Sequence, residues 1–257
     1  MRSAIIAVAT ALLVAACSSP QKRSDTDDVA TSEAGTIYKR AKRALDNNQF
    51  DTAIAEFENL EATYPFGDHA QQAQLDVAYA YFKQGEYDNA VTSTERFLKL
   101  YPQSDFIDYA WYLKGLVNFS RGKTLLERLV PRKPYKLDQS WLRNSFNDFS
   151  MVVRQYPDSS YAADARQRLI FLRNEMARHE LSIAEYYYKR SAMIAVINRV
   201  NYMLDQFADS PYSADGLALL TKAYLKLGDK QLASDTLKTL ELNAPQHPDL
   251  RSLREQV

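Results

Sequence analysis

Metal and nucleophile chemistry usually rests on cysteine and histidine, and this 257-residue sequence has one cysteine, Cys17, and three histidines, His69, His179 and His247. The histidines are scattered, and none has a second ligand three or four residues further on, as a metal site on a helix requires. There is no GxGxxG or P-loop glycine pattern and no serine in a GxSxG turn. No catalytic residue and no metal ligand is therefore expected. The one side chain placed for chemistry is Cys17, which lies directly behind an apolar run from Ala4 to Ala16 and has no second cysteine with which to form a disulfide.

That run follows Arg2 and is too short to span a bilayer, so it reads as a secretory signal. Val14-Ala15-Ala16-Cys17 resembles the bacterial lipobox, in which cleavage precedes a cysteine that is then lipidated. The reading is a signal peptide over 1–16 and a covalent lipid on Cys17, with no other cofactor. The alternative is an ordinary signal peptide with an accidental cysteine. Acyl chains contribute about 0.8 kcal/mol per buried methylene, so lipid on one residue anchors a chain without a spanning helix. Ser18 after the cysteine resembles the sorting class retained at the outer membrane. Residues 17–34, rich in Ser, Asp and Thr, are expected to form a flexible tether.

Beyond the tether, helix-ending punctuation recurs at Tyr64-Pro65, Tyr101-Pro102, Tyr156-Pro157, Phe207-Ala208 and Ala244-Pro245. The first and last intervals are both 37 residues, and the middle two are 55 and 51, longer by 18 and 14. A fixed period of this size marks a solenoid of helical hairpins. Ile37, Ala41 and Ala44, then Phe50, Ala53, Phe57 and Leu60, fall on helical spacing around a polar turn, and Val77, Ala78, Tyr81, Tyr87, Ala90 and Phe97 repeat the pattern. The fold class is all-α, a superhelix of about five tetratricopeptide repeats. The units are 35–67, 70–102, 105–157, 160–209 and 212–245, with a C-terminal tail over 246–257.

The extra residues of the third unit fall at 121–139, where Pro131 and Pro134 favour an exposed loop. Six basic residues lie there (Arg121, Lys123, Arg128, Arg132, Lys133, Lys136), either simply solvated or touching anionic headgroups. The fourth unit has no Gly or Pro between Ser160 and Pro211. Its 14 extra residues are close to four turns, which predicts one long helix over about 161–189 and a hairpin turn near Arg190-Ser191-Ala192. The competing reading breaks that helix near His179.

A solenoid of this kind lines its concave wall with the first helix of each unit. Tyr38, Leu75, Tyr79, Phe82, Tyr112, Leu116 and Phe119 occupy groove positions there, where they would receive an extended peptide with aromatic side chains or merely pack neighbouring repeats. Tyr38 and Asp76 stand where a carboxylate-clamp repeat needs Lys and Asn. Asn198 and Arg199 interrupt an apolar run in the fourth unit. Arg199 is a candidate for pairing with a partner's carboxylate, or internally with Asp205 or Glu185. Formal charge is balanced, 32 against 32, which argues against nucleic acid as partner.

The lipobox, Phe50-Asp51-Thr52-Ala53-Ile54, Leu60-Glu61-Ala62-Thr63-Tyr64-Pro65-Phe66-Gly67, Asp108-Tyr109-Ala110-Trp111-Tyr112-Leu113-Lys114-Gly115, Ala184-Glu185-Tyr186-Tyr187 and Asn198-Arg199-Val200 together resemble the BamD (ComL) family of tetratricopeptide lipoproteins. The resemblance runs from about Thr36 to Pro245. It implies a non-catalytic scaffold, lipid-anchored at the periplasmic face of the outer membrane of a Gram-negative bacterium, in the machinery that assembles β-barrel proteins. It also implies docking of the C-terminal repeats on a BamA-like barrel subunit, where Arg199 matches a partner-facing arginine. Unfolded outer-membrane proteins would bind in the N-terminal groove, and accessory lipoproteins would attach as well. The basic insert, Ser191 and Phe207-Ala208 depart from the family pattern. Another tethered adaptor, a secretin pilotin or a cell-wall synthase activator, would share the fold and the anchor.

Overall fold

A computed structural model describes residues 25–121 and 139–257, with side chains from Glu33 onward. Cys17, the signal segment and all of the 121–139 insert except Arg121 and Gln139 lie outside the described residues. The described residues form helices and turns with no strand. The helices are α1 (Asp25–Asp46), α2 (Phe50–Thr63), α3 (Asp68–Gln84), α4 (Tyr87–Leu100), α5 (Ile107–Arg121), α6 (Ser140–Gln155), α7 (Ala162–Lys189), α8 (Met193–Phe207), α9 (Ser213–Leu227), α10 (Lys230–Asn243) and α11 (Leu250–Arg254). Each packs chiefly on its neighbours in sequence, and α1, α3 and α5 also touch in succession, as do α7 and α9. No helix among them is long and apolar enough to cross a membrane.

The hairpin turns follow one rule. Asn48, Gly85, Ser191 and Gly228 all have positive φ (59°, 88°, 57° and 79°), and both pairs, 48 with 85 and 191 with 228, are 37 residues apart. In these four turns a residue one or two places after the first helix enters the left-handed region to reverse the chain, which costs a side chain about 1–2 kcal/mol and glycine almost nothing. Gly85 and Gly228 donate back to Phe82 and Leu225 carbonyls. Ser191 takes the same conformation without glycine's freedom, and its N–H donates to the Tyr188 carbonyl at 3.0 Å.

The links between repeats have a second rule. Ser104, Ser159 and Ser210 each stand two residues after the proline position. Each donates its N–H to the carbonyl of the residue that closes the preceding helix (Tyr101, Tyr156, Phe207), and its hydroxyl accepts from the N–H two residues on. His247 stands at the same offset from Pro245, and its Nδ1 accepts from the Asp249 N–H at 3.2 Å where the other links use a hydroxyl. The residue four places after each of the first four of these positions is aromatic, His69, Phe106, Tyr161 and Tyr212, and after the fifth it is Asp249.

Within hairpins, small residues let helices approach. Ala41, Ala53, Ala78 and Ala90 are wholly buried. Gly115 sits against Phe149, whose ring would lie 2.7 Å from a Cβ placed there, so α5 and α6 meet closely enough for a buried phenylalanine to cover bare backbone. Phe57, Phe97 and Phe149 are each fully buried on a second helix; Phe57 and Phe149 stand eight residues before the closing proline, and Phe97 takes the place of Leu60 and Val152, five before it.

Two expectations are corrected, and a third holds. The flexible tether over 17–34 gives way to helix from Asp25; Ala34 is buried and Glu33 accepts a hydrogen bond from the Tyr64 hydroxyl, so tertiary contacts begin before the first repeat. The tail over 246–257 contains α11, whose Leu250 and Leu253 are buried against Leu217, Leu237 and Leu240; it covers the apolar edge that the last hairpin would otherwise expose. The one long helix expected over about 161–189 is observed: α7 runs 28 residues, Ala162–Lys189, through His179 without a break.

One buried carboxylate lies outside the core's apolar logic. Asp148 on α6 accepts from Asn118 Nδ2 at 2.7 Å and lies 3.6 Å from Lys114 Nζ, which also pairs with Glu95 at 2.9 Å. Burial outweighs the lysine and pushes its pKa up to about 6. An acid whose pKa is raised on folding binds its proton more tightly when folded. Its contribution is therefore most favourable at low pH and declines as pH rises from about 4 through 6.

Two outcomes follow from this architecture. Ser191→Gly should stabilise the fold by about 0.5–1 kcal/mol, the relieved left-handed strain exceeding the added chain entropy, as read from denaturant midpoints at unchanged m. Asp148→Asn should be more favourable relative to the parent at pH 7.5 than at pH 4 by about 2–3 kcal/mol, measured by denaturant unfolding of both proteins at both pH values.

Candidate functional site

The concave wall is built from the faces of α1, α3 and α5 that point away from the second helices, together with the start of α7. On α3, at 100° per residue, Asp76 and Tyr79 share a face opposite to Gln74, Val77 and Tyr81. The Tyr38 hydroxyl donates to Asp76 Oδ2 at 2.8 Å, and Lys42 Nζ donates to Asp76 Oδ1 at 3.1 Å. The positions at which a carboxylate clamp needs Lys and Asn thus hold Tyr38 and a half-buried carboxylate already taken by this chain's own tyrosine and lysine. Burial, only partly offset by Lys42, raises the Asp76 pKa, and burial followed by the Asp76 charge raises that of Tyr38.

One repeat further on the pattern recurs. The Tyr112 hydroxyl donates to Asp164 Oδ2 at 2.7 Å, and Arg168 Nε donates to the same oxygen at 2.5 Å. The Tyr161 ring stacks on Tyr112 at 4.8 Å and leans on Tyr109 at 5.3 Å. The Tyr109 pKa is raised by burial and then by the nearby Asp76 charge. Tyr79 is half-buried, with its ring 6.4 Å from Phe82 and 6.0 Å from Lys83 Nζ. The result is a row of half-buried phenol rings, Tyr38, Tyr79, Tyr109, Tyr112 and Tyr161, interrupted by two Tyr–Asp–cation groups.

The candidate groove residues divide. Tyr38, Tyr79 and Tyr112 belong to this row. Leu116 and Phe119 are half-buried around Phe149 and Leu172, with Arg168 5.3 Å over the Phe119 ring. Phe82 is half-buried beside Tyr87 at the hairpin end. Leu75 is corrected: it is 3% exposed and packs with Phe97 and Ala110, because its face turns towards the next repeat. Tyr109, Tyr161, Asp164 and Arg168 were not singled out from the sequence. The aromatic four places after each proline was the available signal for Tyr161, and Tyr109 lies one turn before Tyr112.

At the other end, Asn198 is exposed on α8 in a stripe with Ile194 and Tyr202, whose exposures are 63% and 37%. Arg199 Nη1 donates to Glu180 Oε2 at 3.0 Å, across α7 and α8. This corrects the expected internal partners: Asp205 and Glu185 are not used, because Glu180 is the α7 carboxylate buried at this crossing, its side chain 8% exposed. The arginine remains 44% exposed, so its outer edge is open while its inner edge holds the hairpin together. No cluster of three or more metal-ligating residues occurs among the described residues.

Comparison with known proteins places this geometry in a family. The YfiO family of outer membrane lipoproteins matches residues 30–240. The outer membrane protein assembly factor BamD of Neisseria meningitidis serogroup A is 37% identical over 97% of this chain and 94% of its own. That of Xylella fastidiosa strain Temecula1 is 34% identical over 96% of this chain and 83% of its own, and that of Haemophilus influenzae is 32% identical over 95% of each. With the match spanning all the helices of the groove and of the Arg199 face, the chain belongs to the YfiO family of outer membrane lipoproteins.

Proposed function

We propose that this protein is a non-catalytic, lipid-anchored scaffold in the assembly of outer-membrane β-barrel proteins. It receives unfolded barrel precursors in the inner groove of its first three repeats and docks through its C-terminal repeats on a BamA-like barrel subunit, with accessory lipoproteins attached elsewhere. Lipid on Cys17 holds it at the periplasmic face of the outer membrane. The observation that carries this reading is the tyrosine row on the concave wall, in a chain whose relatives are named as assembly factors.

Half-buried phenols suit the task physically. Each offers an apolar ring face on which a partner's aromatic side chain can stack, at roughly 0.5–1.5 kcal/mol beyond the area it buries. The hydroxyls of Tyr38 and Tyr112 are already satisfied by Asp76 and Asp164, so a ligand that covers them strands no polar group. Rings held by hydrogen bonds also lose little freedom on binding. An extended segment ending in an aromatic residue gains from all three effects, and every unfolded barrel strand offers alternate side chains to a groove of this kind.

At the C-terminal face, Arg199 has one edge on Glu180 and one edge free, which suits a carboxylate on a folded partner. Ile194 and Tyr202 supply apolar area beside it.

Tyr79→Ala and Tyr112→Ala should each weaken binding of a fluorescein-labelled decapeptide ending in phenylalanine by roughly tenfold or more, the cost of about 1.5 kcal/mol for one lost aromatic contact, measured by anisotropy. Unchanged affinity in both would sink the groove assignment. Arg199→Glu should abolish co-purification of a large β-barrel partner from detergent-solubilised membranes, whereas Glu180→Gln, which frees the arginine without removing it, should preserve it. Loss in both variants would mean that the ion pair acts only on the fold.

A further inference from the structure

The outer side of the first two repeats carries a second groove, on the face of α3 opposite to the tyrosine row. Three stripes form it: Glu58 and Glu61 on α2, Gln74, Val77 and Tyr81 on α3, and Asn89, Ser93 and Arg96 on α4. A hollow of about 220 Å³ between them opens into a second of about 480 Å³ that shares Glu58, Glu61, Gln74 and Arg96 and continues to Pro65, Leu100 and Tyr101. From Asn89 to Leu100 the channel follows eleven residues of helix, about 16 Å. That is the length of about five residues of extended chain.

Its polar groups are poorly satisfied. Gln74 is 3% exposed, yet its Oε1 is buried without a hydrogen-bond partner, a condition that costs roughly 1–3 kcal/mol unless a donor arrives. The contacts made by the two glutamates are long: Arg96 lies 3.8 Å from Glu61, and the Tyr81 hydroxyl lies 3.5 Å from Glu58. Burial raises the Glu61 pKa despite Arg96, with Glu58 adding to the rise. Two carboxylates face one arginine whose side chain is 64% exposed, so the channel carries net negative charge. At its far end Pro65, Leu100 and Tyr101 add apolar surface, and Leu100 is 53% exposed.

We propose that this outer groove docks an extended basic segment of a partner protein, with Glu58 and Glu61 receiving a lysine or arginine, Gln74 Oε1 accepting a backbone N–H, and Pro65 and Leu100 taking an apolar side chain that follows. Charge complementarity selects the occupant. An acidic chain would meet two carboxylates, while a purely apolar one would leave Gln74 and both glutamates buried and unpaired. The groove lies on the opposite face of α3 from the precursor groove, so the two can be filled together.

The test uses the full chain and two fluorescein-labelled decapeptides identical except for a Lys pair or a Glu pair, each followed three residues later by leucine. The lysine peptide should bind at least tenfold more tightly than the glutamate peptide. Glu58→Lys combined with Glu61→Lys should erase that preference, Gln74→Leu should weaken the lysine peptide about three- to tenfold, and Tyr79→Ala should leave it unchanged. If the double charge reversal loses its helical circular-dichroism signal, Glu58→Gln with Glu61→Gln reads the same contrast. Equal affinity for the two peptides, a preference that survives the glutamate changes, or no binding of the lysine peptide at millimolar concentration would overturn the proposal.

Discussion

Everything in this molecule depends on the close approach of two helices within each hairpin and of each hairpin to the next. A single pair has apolar surface on both sides and cannot satisfy it alone. The approach is set by small residues facing large ones, as where the Gly115 backbone lies under the Phe149 ring and the alanines at 41, 53, 78 and 90 sit wholly buried. Because the second helices supply the large residues, the first helices keep one face free of core duty. That face carries the tyrosine row. The ends are closed separately: α11 covers the last hairpin with Leu250 and Leu253.

The same geometry explains why the two sides of α3 differ chemically. Towards the concave wall, carboxylates are paired at hydrogen-bond distance with tyrosine and lysine, and the rings are fixed. Towards the second helices, Gln74, Glu58 and Glu61 are left with long contacts or none. On the proposed reading, the fixed aromatic wall suits ligands that contribute apolar surface. An under-satisfied polar channel is prepared for ligands that contribute donors and positive charge. One helix thus separates two surfaces of opposite appetite.

Much of the architecture could be read from spacing alone. The Tyr-Pro positions coincide with the ends of α2, α4 and α6, and the Gly85 and Gly228 turns mark the hairpins. Spacing also put the fourth hairpin's turn at Arg190-Ser191-Ala192, where glycine is usual, and the structure shows why other residues can follow the rule. Asn48 and Ser191 do glycine's work, and His247 does serine's, because the backbone asks only for a positive φ or for one acceptor and several residues can answer. The site was less legible than the fold. Groove positions counted along a repeat identify a helix face to within about one residue, 100° of rotation. That margin put Leu75 in the groove when it belongs to the core, and it passed over Tyr109. Partners across helices were invisible for the same reason: Glu180, not Asp205 or Glu185, lies opposite Arg199 only because α7 and α8 cross there.

The central claim is that the concave tyrosine row receives unfolded barrel precursors. The most direct measurement places a photo-crosslinking amino acid at Tyr109, at the middle of the row, and in parallel at Lys238 on the exposed side of α10, in cells exporting a β-barrel protein. The account predicts adducts between Tyr109 and the precursor's aromatic-ended C-terminal segment, and none at Lys238. Equal adducts at both positions, or precursor captured only from Lys238, would contradict it.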